Sequence, residues 1–317
     1  MRERPSNQVL VGQTIACANQ KGGVGKTTTV VNLATYLALA GQRVLIIDLD
    51  AQGNSTSGFG LDKTQIERSI YDAMIDAASL ADVSMPTGID GLHIVPASVA
   101  LAGADIELAP FAQRERRLAR LIAPIADDYD YILLDCPPSL GLMTVNALTA
   151  ADSVLIPVQC EYYALEGLTQ LISTIHLVRD HLNPDLSIKG AVLTMFDART
   201  NLSSEVSAEV RRHLADAVYE TVIPRSVRLS EAPSFGQPIA LYRSDSKGAE
   251  AYHALADELL ARDRAAGATV AARPFTDPAP VSARVSSTTD PGSEAIRTST
   301  AAGQASAMSP SQFGGLA

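Results

Sequence analysis

The chain has 317 residues, 46% of them hydrophobic, with a net charge of −10 and no tryptophan, enough apolar residue for one large domain or two small ones. No apolar run reaches the about 18 residues of a transmembrane helix, and the N-terminal MRERPSNQVLVGQ lacks the apolar core of a signal peptide, so a cytoplasmic protein is expected. Cys17, Cys136 and Cys160 are too scattered for a disulfide framework or a CxxC metal site and read as buried free thiols, while the acidic balance by itself argues against nucleic-acid binding.

Residues 14–19 (TIACAN) form a predicted buried strand that runs into NQKGGVGKTTT, 19–29. This stretch ends like the phosphate-binding pattern G-x-x-x-x-G-K-[ST], but Gln20 stands where the opening glycine belongs, and a second lysine, Lys21, follows it. Gly22, Gly23 and Gly25 let the backbone turn with its N–H groups inward, making an anion cradle at the start of the next helix. Residues Gly22, Gly23, Val24, Gly25, Lys26, Thr27 and Thr28 are the expected nucleotide contacts. Lys26 places its charge on the β- and γ-phosphates, and Thr27 offers a hydroxyl to Mg²⁺.

Residues 28–40 (TTVVNLATYLALA) have helical spacing, with Gly41 as a C-cap. Residues 44–48 (VLIID) are a second buried strand and 92–96 (LHIVP) a weaker third. Residues 111–126 read as an amphipathic helix whose Arg-rich outer face, including RERRLAR, is a solvated surface. Residues 131–135 (YILLD) are a strong strand ended by Pro137-Pro138, and 153–157 (SVLIP) another, followed by a helix over 164–181. A strand at 189–194, a helix over 203–217, a short extended piece at 222–224 and a last helix over 247–265 complete the series. Short continuous apolar strands alternating with helices predict an α/β fold. Its sheet is doubly wound and mostly parallel, with helices on both faces. Ligands bind such sheets at the carboxyl ends of the strands, where Asn19, Asp48, Asp135 and Pro157 all fall. The expected organisation is a short extension (1–12), a P-loop ATPase domain (13–266) and a disordered tail rich in Ala, Ser, Thr and Pro (267–317).

An Asp at the end of an apolar strand opposite a phosphate loop is placed to hold Mg²⁺ or its waters, which makes Asp48 and Asp135 metal candidates. Asp48 and Asp50 lie two apart and would share a side of an extended chain, so spacing alone does not say which faces the attacking water.

The segments KGGVGKTT, VLIIDLDAQGNSTSGFG and YILLDCPPSLG occur in that order. VLTMFDARTNLS (192–203) and TVIPRSVRLSEAPSFGQPIALY (221–242) follow them. Together they resemble the ParA/Soj chromosome- and plasmid-partitioning ATPases, in the deviant Walker A group that also holds MinD. The resemblance runs from Gln13 to Leu260. It implies ATP and Mg²⁺ as cofactors and slow, partner-stimulated hydrolysis of ATP to ADP and phosphate. It further implies an ATP-bound sandwich homodimer that binds nonspecific double-stranded DNA at the nucleoid and answers to a ParB-like centromere-binding protein. By the same resemblance, Lys21 is the signature lysine that reaches the nucleotide of the second subunit. Asp50 orients the attacking water, Asp48 supports the Mg²⁺ environment and Asp135 is the Walker B aspartate. Met195 and Pro224 border the adenine. Arg199 and Arg228 match DNA-contacting positions, with Arg225 a lesser candidate.

The charge pattern gives the DNA role little independent support, because acidic and basic residues balance between Arg179 and Lys247. Two subunits could still assemble a basic stripe that neither presents alone. A MinD-like membrane switch would need a C-terminal amphipathic helix with a basic face, and the sequence ends MSPSQFGGLA, so no membrane partner is expected. A reductase of the nitrogenase iron protein type would need cluster-ligating cysteines, for which Cys136 and Cys160 are the candidates. A slow switch in polar protein placement remains the alternative to DNA segregation. The residues before Gln13 are too few for a DNA-reading domain, so operator-specific repression is not expected.

Overall fold

The computed structural model describes residues 12–76, 78–161 and 164–267, with side chains 164–166 also left aside. The expected tail lies outside the described residues except for Gly267, as does the extension except for Gly12. One eight-stranded sheet is built from β1 (Gln13–Cys17), β2 (Val44–Asp48), β3 (Met85–Pro86), β4 (Leu92–Val95), β5 (Tyr131–Asp135), β6 (Ser153–Gln159), β7 (Ser187–Phe196) and β8 (Val218–Pro224). The order is β3-β4-β2-β5-β1-β6-β7-β8, and every pair is parallel except β3 against β4.

The strands are apolar on both sides because both sides are covered. Ala16, Leu45, Ile47, Ile132 and Leu134 point into one core. Ile15, Cys17, Val44, Ile46 and Leu133 alternate into the other. The helices Ile70–Asp76, Leu142–Ala150 and Ala164–His181 cover the first face. Lys26–Leu39 and Lys247–Ala265 cover the second. Strand β1 is central: β2 to β5 lie on one side of it with β3 at the edge, and β6 to β8 on the other. The loop after β1 therefore opens where the winding reverses, the place where parallel sheets bind ligands. Among the described residues no helix is long and apolar enough to cross a membrane.

Some element boundaries differ from expectation. The amphipathic segment around 111–126 is α-helical only at Arg117–Ile122, flanked by 3-10 turns at Arg114–Arg116 and Ala123–Asp128; the helix stops before the second turn because Pro124 lacks an N–H to continue the ladder. Its outer face is solvent-exposed as expected, at Arg116 and Arg120, and several of its arginines also hold contacts within the fold. Arg116 donates to the Leu182 carbonyl at 2.7 Å, capping the end of the helix Ala164–His181. Arg114 donates to the Ala109 carbonyl at 2.8 Å, and Arg117 stacks over Phe111 at 4.4 Å. Strand β8 begins at Val218, earlier than the expected 222, because pairing with β7 extends it.

Candidate functional site

Two side chains tie the glycine loop to the neighbouring strands β6 and β7. Buried Asn19 donates to the Pro157 carbonyl at 2.7 Å and accepts from the Lys21 amide at 3.0 Å. Buried Thr194, on β7, donates to the Val24 carbonyl at 2.8 Å. Gly25 sits at φ +89, a conformation that favours glycine, and leads into the helix Lys26–Leu39 without a side-chain cap. The first amides of that helix are thus presented to an anion. The two lysines behave differently. Lys26 is 7% exposed and its Nζ folds back to the Lys21 carbonyl at 3.2 Å. The Lys21 Nζ instead lies 3.5 Å from Glu161, whose other oxygen accepts from Arg225 at 3.0 Å.

Asp48 and Asp135 end β2 and β5 and are both fully buried. Asp48 is hydrogen-bonded through both oxygens: one accepts from the Asp50 amide at 3.3 Å, the other from the Thr56 amide at 2.9 Å and hydroxyl at 2.7 Å. Asp135 accepts from the Ser55 hydroxyl at 2.7 Å, while its second oxygen is buried without a hydrogen bond of ordinary length. Burial is the main force that raises both carboxyls above their usual range. For Asp135 the charge of Asp48 adds to the rise, and the Ser55 and Thr27 hydroxyls oppose it. An orphaned, proton-hungry carboxylate oxygen beside a threonine hydroxyl fits a hard divalent cation. Among the described residues no cluster of three or more acidic, histidine or cysteine side chains could hold a metal. Mg²⁺ needs none, since it takes one or two carboxylates and completes its octahedron with phosphate and water. Asp50 stands just beyond, half-buried, its carboxylate accepting the Gln52 amide at 3.0 Å.

A cavity of about 280 Å³ opens beside Gly25 and Thr28 and is lined by Met195, Pro224, Arg225, Leu229 and Tyr252. Met195 has φ +52, a left-handed conformation that costs a side-chain-bearing residue about 1 kcal/mol or more. Its neighbours hold it there: Thr194 is bonded to the loop, and the Phe196 carbonyl accepts the Arg225 amide at 3.0 Å. Met195 and Pro224, at the ends of adjacent strands, are thus brought to one wall.

Arg199, Arg225 and Arg228 follow the ends of β7 and β8, on the same edge of the sheet. Each has an acidic partner. Arg199 grips Asp197 through two bonds, at 2.8 and 2.7 Å, and this pairing holds the Asp197 carboxyl down to about 2. Arg228 donates to Glu231 at 2.7 Å, and Arg225 to Glu161. Sequence reasoning missed the supporting residues Ser55, Thr56, Glu161 and Thr194. Of these only Ser55 and Thr56 carry a local signal, the GNST that opens the helix Asn54–Gly58 after the second acidic strand.

A sheet wound about β1, a glycine loop closing in Gly25-Lys26-Thr27 with an additional Lys21, and two strand-end carboxylates define a P-loop ATPase fold of the deviant Walker A type. Residues 12–188 match a family model described as an AAA domain (AAA_31). The sporulation initiation inhibitor protein Soj of Bacillus subtilis is 57% identical over 251 residues, 79% of this chain and 99% of its own length. The chromosome partitioning protein ParA of Myxococcus xanthus is 54% identical over 253 residues, 80% of this chain and 89% of its own. A crystal structure described as cobyrinic acid a,c-diamide synthase from Mycobacterium smegmatis, with bound ADP and magnesium, is similar at a TM-score of 0.71. It is 37% identical and covers 84% of this chain and 100% of that one. The chain belongs to the Soj/ParA family of chromosome-partitioning ATPases.

Proposed function

We propose that this ATPase is a nucleotide-gated switch for DNA segregation, in the cytoplasm and on the nucleoid. The observation that carries the reading is the division of labour between two lysines of one loop: Lys26 buried against its own loop, Lys21 paired with Glu161. A lysine held away from its own phosphate cradle is available to a second subunit. Supplied in trans, its charge stabilises phosphate and makes dimerisation depend on bound ATP.

The adenine enters the cavity bordered by Met195 and Pro224, and the triphosphate lies on the amides of residues 22–28 with Lys26 on its β- and γ-phosphates. Thr27 and the open oxygen of Asp135 would hold Mg²⁺, which supplies positive charge to the phosphate oxygens. Asp48 fixes Thr56 and the Asp50 amide, which sets the turn that carries Asp50. Asp50 orients water for in-line attack on the γ-phosphate. The bound ADP and magnesium of the similar Mycobacterium smegmatis structure support this assignment. The ATP-loaded dimer binds nonspecific double-stranded DNA through Arg199 and Arg228, with Arg225 in a lesser role, and a ParB-like partner stimulates the slow hydrolysis that releases it.

The test is retention of the purified protein on DNA with ATP, ADP or no nucleotide across a salt series, beside Lys21→Ala and Arg228→Ala. Binding only with ATP, falling steeply with salt and lost in both variants, is the expected result. ATP hydrolysis without DNA retention at any salt concentration would overturn the segregation reading in favour of polar protein placement.

A further inference from the structure

We propose that Glu161 is a positioning residue that restrains Lys21 in the monomer and opposes the ATP-bound dimer until phosphate displaces it. The inference rests on the trans role of Lys21 given above and assigns the residue that controls it. Both ends of the contact are anchored to one strand. The loop that carries Lys21 is tied to β6 through Asn19 and the Pro157 carbonyl. Glu161 lies two residues past the end of β6, and its backbone amide is held by the Gln159 carbonyl at 2.8 Å, with the preceding Cys160 amide on the Thr194 carbonyl at 3.1 Å. The meeting of Lys21 and Glu161 is therefore set by the sheet.

Glu161 also holds a second cation. One oxygen faces Lys21 and the other accepts from Arg225, which comes from beyond β8 and lines the base cavity. When Lys21 leaves for phosphate, Glu161 keeps the guanidinium as its counter-ion and no carboxylate is stranded. Arg225 thereby eases the release of Lys21 and links it to the wall of the cavity. The side chains of Lys21 and Glu161 are 31% and 43% exposed, so the ion pair is weak. Weakness suits a restraint that a multiply charged phosphate must outcompete. Two such contacts are broken per dimer, so neutralising Glu161 should tighten the dimer roughly 2- to 30-fold.

The experiment is sedimentation equilibrium of the full chain at saturating ATP, in parallel with nucleotide binding to the monomer, for wild type, Glu161→Gln, Arg225→Gln and the double variant. Glu161→Gln is expected to tighten the dimer while leaving monomer affinity for nucleotide unchanged, with the gain shrinking as salt is added. Arg225→Gln is expected to act in the opposite direction, because Glu161 is then left to Lys21 alone, and the double variant should follow Glu161→Gln. A purely structural role would not produce opposite signs. Equal or weaker dimerisation of a folded, nucleotide-binding Glu161→Gln overturns the proposal. If Glu161→Gln folds poorly, an Arg225→Gln dimer no weaker than wild type does the same. A wild type that binds ATP yet stays monomeric instead sinks the sandwich-dimer reading itself.

Discussion

Asp48 and Asp135 are register partners on the neighbouring parallel strands β2 and β5, and both carboxyls are fully buried. Their burial raises both above the ordinary carboxylate range. The folded protein therefore holds protons that the unfolded chain has already released. Stability from this pair is complete below about pH 4, the range of an unperturbed aspartate, and is lost as pH rises towards neutrality. In nucleotide-free protein, Asp135→Asn should melt above wild type at pH 7, with the gap closing near pH 4. Adding Mg²⁺ and ATP should reverse the order at pH 7, because the carboxylate is then used. Melting curves at both pH values decide this, and a gap independent of pH would refute it.

Thr194 holds the loop from outside. In Thr194→Val the Val24 carbonyl loses its buried donor, so the fold should lose about 1–3 kcal/mol. The cradle should also loosen, raising KM for ATP more than it lowers kcat. Denaturant titration and steady-state ATPase assays check the two halves, and a KM equal to wild type would show that the bond does not shape the loop.

Gly236 lies at φ +60, where a Cβ would come within 2.5 Å of the Gly60 Cα. The obstacle is backbone and has no rotamer to yield. Gly236→Ala should cost about 2–4 kcal/mol, combining left-handed strain with overpacking. Because Gly60 and Gly236 flank the helix Asn54–Gly58 and the segment after Arg228, ATPase activity should fall with stability. Chemical denaturation gives the first number, and a loss below about 1 kcal/mol would mean that the two segments separate easily.

Each arginine proposed to meet DNA is already paired with an acid. Phosphates must displace Glu231 to engage Arg228. Glu231→Gln should therefore raise ATP-dependent DNA affinity roughly 2- to 5-fold at moderate salt, with the gain lost in an Arg228→Ala background. Fluorescence anisotropy with a nonspecific duplex measures it, and an unchanged affinity would remove Arg228 from the DNA surface.

Much of the chain was legible before folding. VLIID and YILLD are continuous apolar runs with an acid at the end, and such runs in alternation with helices have few stable arrangements other than a covered parallel sheet. Gly25-Lys26-Thr27 needs only its neighbours to make an anion cradle. The short helices Asn54–Gly58 and Leu80–Val83 and the two-residue β3 were not legible, because so few residues hold no period to count. Pro124, by contrast, stood in plain sight as the break in a helix read as continuous.

The sequence by itself determined where the central strands run and where the glycine loop after β1 turns, because periodicity and glycine placement act over a few residues. Only the tertiary structure decided who meets whom. Ser55 reaches Asp135, 80 residues away, because β2 and β5 are neighbours in an order that composition does not encode. Met195 and Pro224 line one cavity, and Lys21 and Arg225 share Glu161, because β6, β7 and β8 lie side by side beyond β1. Apolar pattern specifies that a strand is covered on both faces. The crossover connections specify its neighbour, and with it the chemistry at its end.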